Sequence, residues 1–154
     1  MKSKNSAKIS LAICILCTVL LAVMICTFPM FIRWLYFSYH DLHNETIYQE
    51  QIFHALIPAF YCCVPFAACS LYMLIRILLN ILHGNIFTVK NVKYFRWISW
   101  CCYAVTLITF GFSLRYMPIF VIGAATGIVG TLLRVVKNLM QSATQMREEN
   151  DLTI

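Results

Sequence analysis

Residues 9–32 read ISLAICILCTVLLAVMICTFPMFI, 24 positions without an ionised side chain between Lys8 and Arg33. An α-helix needs roughly 17–25 such residues to cross about 30 Å of hydrocarbon, and a charge at its centre costs at least about 2.5–3.5 kcal/mol. The run is therefore read as a membrane span. Three more follow: 51–75 between Glu50 and Arg76, 97–114 between Arg96 and Arg115, and 116–133 between Arg115 and Arg134. Their lengths are 25, 18 and 18, so charge-free runs take up 85 of 154 residues. Composition agrees, at 61% hydrophobic, 12% charged and a mean hydropathy of +0.76, against roughly 45–50% apolar and about 25% charged for soluble domains. A conventional soluble protein, a disordered tail and a collagen-like fibre are excluded. The expected fold is all-α: an integral membrane four-helix bundle with cytoplasmic helical extensions, one domain over residues 1–154.

Lys2, Lys4 and Lys8 ahead of the first run would also suit a cleaved signal peptide. The run exceeds the usual 7–15 apolar residues, however, and no small-x-small cleavage site follows it. It leads instead into Phe28, Pro29, Met30, Phe31 and Trp34, which suits a retained anchor. Orientation comes from Lys and Arg. With a cytoplasmic N-terminus, the inside holds Lys2, Lys4, Lys8, Arg76, Lys90, Lys93, Arg96, Arg134, Lys137 and Arg147, and the outside only Arg33 and Arg115. Acidic residues divide evenly, so the net charge is +7 inside and −1 outside. This positive-inside bias predicts a multi-pass protein with both termini in the cytoplasm and a basic face toward anionic inner-leaflet lipid. The basic residues are spread over helix ends with no separate domain to read a groove, so direct nucleic-acid binding is not expected.

The second span carries Pro58 and Pro65, about two turns apart on nearly the same side, and is expected to be bent or strained. The fourth carries Gly123, Gly127 and Thr131 at intervals of four, beside Ala124 and Gly130. Such a small-xxx-small stripe lets another helix approach closely, either within the bundle or in a homodimer. Beyond the membrane, Leu132, Val136, Leu139, Ala143 and Met146 recur at intervals of 4, 3, 4 and 3, a coiled-coil-like seam. The last helix is thus expected to run from about Met117 to Glu149, with 134–149 in the cytoplasm. Two heptads are marginal alone, so the seam needs a companion from this chain or from a partner. Residues 76–96 offer one as a cytoplasmic helical hairpin. Its first helix ends near His83 with Gly84 as the stop, and its second starts at Thr88 as N-cap and leads through Lys90, Asn91, Lys93, Tyr94 and Arg96 to interfacial Trp97 and Trp100.

Gly84, Asn85, Ile86, Phe87, Thr88, Asn91, Phe95, Arg96 and Ile98 resemble the Gly-x-x-Phe-Thr-x-x-Asn-x-x-x-Leu-Arg-x-Ile signature of the bacterial domain-of-unknown-function family 2975. Phe95 stands in place of the usual Leu, and Ile86 where a proline often precedes the Phe. Glu149, Asn150, Asp151, Leu152, Thr153 and Ile154 also resemble the Glu-Asn-Asp-Leu-Thr-Ile terminus common there, and length and span layout agree. The resemblance implies a small bacterial inner-membrane protein with no established activity. Members are often encoded beside a small helix-turn-helix regulator of the Xre or Cro type, which implies, by analogy, a membrane-held modulator of that regulator. Gly84, Phe87, Thr88, Asn91, Arg96, Asp151, Leu152, Thr153 and Ile154 are accordingly the candidate interaction surface, or an internal clasp in which Thr88 and Asn91 cap and turn the helix.

Two chemical readings remain open. All eight cysteines, Cys14, Cys17, Cys26, Cys62, Cys63, Cys69, Cys101 and Cys102, fall within spans. Cys14-x-x-Cys17 would suit thiol redox or metal chemistry, but no carboxylate or His shares its span and the cysteines equally serve as small hydrophobes. Outside, His40, Asp41, His43, Glu45, Glu50 and His54 lie in or beside an exposed loop of about 18 residues and could bind a metal, titrate near neutrality or simply be solvated. No span contains Asp, Glu, Lys or Arg, which disfavours a proton-coupled carrier, and no P-loop, Gly-x-Ser-x-Gly, His-Glu-x-x-His, dinucleotide fingerprint or 20–50-residue repeat occurs. The expectation is a non-enzymatic regulatory or interaction protein without cofactor, catalytic residue or metal ligand. The alternative is a thiol-redox enzyme or small-solute carrier.

Overall fold

The computed structural model describes residues 2–40, 46–84, 88–114 and 117–151. They form four helices: α1 (Lys2–His40), α2 (Thr46–Leu82), α3 (Val89–Ser113) and α4 (Ile119–Asp151). Each contains a stretch long and apolar enough to span a membrane. The chain is an all-α, multi-pass membrane protein, as the charge-free runs required.

The helices overrun those runs. α1 has 39 residues and α2 37, about 58 and 55 Å at 1.5 Å per residue. The exposed loop expected between the first two spans is thereby corrected: α1 continues to His40 and α2 begins at Thr46, leaving only 41–45 between them. α2 passes through Pro58 and Pro65 as one helix. Each proline removes one backbone donor, which a membrane helix tolerates where neighbouring helices and hydroxyls re-satisfy the freed groups. α3 joins the juxtamembrane segment and the third span without a break.

Packing is serial: α1 packs on α2, α2 on α3 and α3 on α4, and among the described residues no other pair of helices brings Cα atoms within 8 Å. The bundle is open. Phe28 stacks on Phe60 at 4.0 Å between centroids, and the Tyr61 hydroxyl donates to the Ile25 carbonyl at 2.9 Å, joining α1 to α2. Few apolar side chains are buried, among them Ile32, Ala59, Ile77, Val92, Ile98 and Ile119, while Leu107, Leu114 and Val121 are about as exposed as side chains can be, at 74%, 88% and 69%. In water that surface would aggregate, but in a bilayer acyl chains solvate it. Close packing and interhelical hydrogen bonds then carry the fold.

The α3–α4 contact shows this best. Gly123, Gly127 and Gly130 of α4 face Ser99, Cys102, Thr106 and Thr109 of α3. Ser99 Oγ donates to the Gly130 carbonyl at 2.9 Å, and the Thr106 and Thr126 hydroxyls meet at 3.1 Å. A Cβ on Gly123 would lie 2.6 Å from Thr109 Oγ1, and one on Gly130 would lie 3.0 Å from Cys102 Cβ. Thr109 is buried, and its hydroxyl donates to the Val105 carbonyl within its own helix, so this polar group is satisfied without a partner on α4. Gly123 and Gly130 of the small-residue stripe thus pack inside the protein, while Thr131 is exposed with its hydroxyl 3.3 Å from that of Tyr103.

Candidate functional site

Antiparallel packing gathers one end of α2, α3 and α4 into a basic cluster with three layers. The first is the turn between α2 and α3. Gly84 ends α2 with φ +84°, the left-handed conformation that glycine adopts without strain, and its N–H donates to the Ile81 carbonyl at 3.0 Å. Thr88 occupies the N-cap of α3 with extended φ −130° and ψ 143°, and its carbonyl accepts from the Asn91 N–H at 3.0 Å. Its side chain, expected to cap, makes no cap hydrogen bond: the Oγ1 is buried without a partner. The carbonyl and the extended backbone alone start the helix. Replacing Thr88 by Val should therefore leave thermal stability unchanged or slightly raised. A true side-chain cap would instead lose about 0.5–2 kcal/mol, which thermal unfolding in detergent would reveal.

The second layer clamps α2 to α3. Asn91 is fully buried, and Asn80 Nδ2 donates to its Oδ1 at 2.7 Å. One turn deeper, the Arg76 guanidinium lies against Tyr94. The signature asparagine is therefore a buried interhelical clamp. Its partner Asn80 was not singled out in the sequence, although a lone amide within ILLNIL is the signal that would have found it.

The third layer joins α3 to α4. Exposed Arg96 shares a groove of about 240 Å³ with Ser99, Trp100, Arg134 and Lys137. The Arg134 guanidinium sits 5.5 Å from the Trp100 ring centroid and 5.9 Å from that of Tyr103. Farther out, a second groove runs between Val89, Val92 and Lys93 of α3 and Gln141, Thr144 and Gln145 of α4, with Thr144 buried.

The apolar seam finds no companion among the described residues of this chain. Its members Leu132, Leu139 and Met146 are 59%, 66% and 61% exposed, and Val136 is exposed as well. Against the start of α3, α4 turns Gln141 and Thr144 instead, because the glycine contacts deeper in the span fix its rotation. Of the expected hairpin, only α3 stands beside α4, since α3 separates α2 from it.

Gly84, Thr88, Asn91 and Arg96 thus come together at this end. Phe87, Leu152, Thr153 and Ile154 lie outside the described residues, and Asp151 ends α4. The outer cluster also lies outside them: 41–45 and the side chains of His40, Glu50 and His54. No group of three metal-ligating side chains occurs among the described residues. All eight cysteines are free; Cys101 lies beside Cys69 of α2, while Cys14 and Cys17 belong to α1, which does not touch α3.

A family model described as protein of unknown function (DUF2975) matches residues 31–154, from the second half of α1 to the end of the chain. No curated protein and no solved structure matches.

Proposed function

Since this chain belongs to the DUF2975 family, whose description assigns no activity, we propose from its basic end that it is a non-enzymatic interaction protein of a bacterial inner membrane. In this reading both termini face the cytosol, and the end of α4 holds a small soluble helix-turn-helix regulator. The supporting observation is the uncovered apolar stripe. The charge-free run of α4 stops at Leu133, so 134–151 continue about 27 Å past it, with Leu139 and Met146 facing outward. An isolated apolar seam on a rigid helix fits the helix-in-groove mode of recognition. The stripe selects an apolar partner surface, because the charges of 134–151 balance at three basic and three acidic residues. Such a surface is distinct from a regulator's DNA-binding face, which is itself basic.

The test is capture of a purified small helix-turn-helix regulator, taken from the neighbourhood of the gene, by full-length protein in mild detergent; a neighbourhood without one counts against the reading. Wild type should retain it, whereas L139E/M146E should lose it without a change in thermal stability, because both side chains are exposed. If wild type retains no regulator, or the double variant retains it fully, the reading fails. Cross-linking of two copies through Leu139 would replace the regulator with a second chain. Reporter fusions at both termini check the orientation independently.

A further inference from the structure

The groove between α3 and α4 has the chemistry of an anion site, and we propose that it binds the phosphodiester headgroup of an anionic membrane phospholipid. Arg96, Arg134 and Lys137 supply three cations around about 240 Å³. Among the described residues no carboxylate lines the groove: α3 contains no acidic residue, and those of α4 are confined to 148–151, about 16 Å of helix beyond Lys137. The described contacts leave capacity unused. Lys137 Nζ donates to the neighbouring Asn138 Oδ1, at 3.1 Å, and Arg134, held over the Trp100 and Tyr103 rings and hydrogen-bonded to the Tyr103 hydroxyl, keeps the rest of its five N–H donors for a ligand. Ser99 directs its hydroxyl to the Gly130 carbonyl, so the floor of the groove is already satisfied and the cations are what remains to bind.

Position selects lipid over free phosphate. Arg96 immediately precedes the charge-free run of α3, and Arg134 immediately follows that of α4, which places both at headgroup level. On the hydrocarbon side, Trp100 lines the groove and is 55% exposed, offering apolar surface to the acyl chains of the lipid whose phosphate the cations hold. Basic pockets between spans are a known solution for anionic headgroups. The inference needs neither the soluble partner nor the Leu139 stripe.

The test is native mass spectrometry of the full-length protein in non-ionic detergent, titrated separately with dioleoylphosphatidylglycerol, dioleoylphosphatidylcholine and sodium phosphate. The glycerol lipid should bind with higher affinity than the choline lipid, and phosphate at millimolar concentration should neither bind nor displace it. With roughly fivefold per cation, R96Q/K137Q should weaken the glycerol lipid by about 25-fold while keeping the Arg134–Trp100 stack that supports the fold. K90Q/K93Q, which removes two cations that do not line this groove although Lys93 lies one turn from Arg96, should cost clearly less than R96Q/K137Q. Equal affinity for the two lipids would overturn the proposal. So would undiminished binding by R96Q/K137Q, an equal loss in K90Q/K93Q, or displacement by inorganic phosphate, which would mark a site for soluble anions.

Discussion

Gly123→Val is expected to destabilise the protein by about 1–3 kcal/mol, measured by denaturant unfolding in mixed micelles, because it forces apart a close contact between α3 and α4. A Cβ at this position would stand 2.6 Å from Thr109 Oγ1 and 3.5 Å from Thr109 Cβ, and the β-branched neighbour has no flexible chain to withdraw. Gly111 provides the control. Nothing lies within 4 Å of a Cβ there, so Gly111→Ala should be neutral or stabilising by up to about 1 kcal/mol through helix propensity alone. The two glycines share helical conformation and differ in their surroundings. Thr109→Ala in the Gly123→Val background should recover part of the loss, giving a coupling of about 0.5–3 kcal/mol. If Gly123→Val were as well tolerated as Gly111→Ala, the α3–α4 interface described above would be wrong.

Asn91→Leu is expected to cost about 1–3 kcal/mol, because it deletes the acceptor of the Asn80 amide at a fully buried site. Asn80→Leu removes the donor from the other side and should cost a similar amount. Replacing both should cost less than the sum, since an interhelical hydrogen bond is lost once and not twice. Additive losses would mean that the amides contribute separately, and the clamp between α2 and α3 would have to lie elsewhere. The measurement also separates two roles of the family signature. A loss on Asn91 substitution together with intact regulator binding makes it a clasp, whereas unaltered stability with lost binding makes it a contact residue.

The stop at Gly84 and the start at Thr88 were legible because they depend on local backbone preference, which a few neighbouring residues set. The turn needed φ +84° and the sequence places glycine there. The helical lengths were less legible. Charged residues mark where a helix leaves hydrocarbon, not where it ends, so α1 reaches His40, beyond Arg33. The glycine stripe on α4 was visible, but its receiving surface, Ser99, Cys102, Thr106 and Thr109, was not read, although its 3, 4, 3 spacing is the matching signal. Asn80 escaped for the same reason: a polar residue acquires its role only from the helix that stands opposite.

Membrane insertion, the number of crossings and the sign of each end are properties of the chain taken residue by residue, because the transfer of a charge into hydrocarbon is unfavourable whatever packs nearby. The rotation of each helix is not such a property. In lipid, the outer face of an apolar helix is as well solvated as its inner face, so hydrophobicity ceases to say which side meets a neighbour. Here the choice fell to backbone proximity and hydrogen bonds. Gly123 and Gly130 closed on α3, Asn91 closed on Asn80, and Leu139 and Met146 were left facing outward, without a companion among the described helices of this chain.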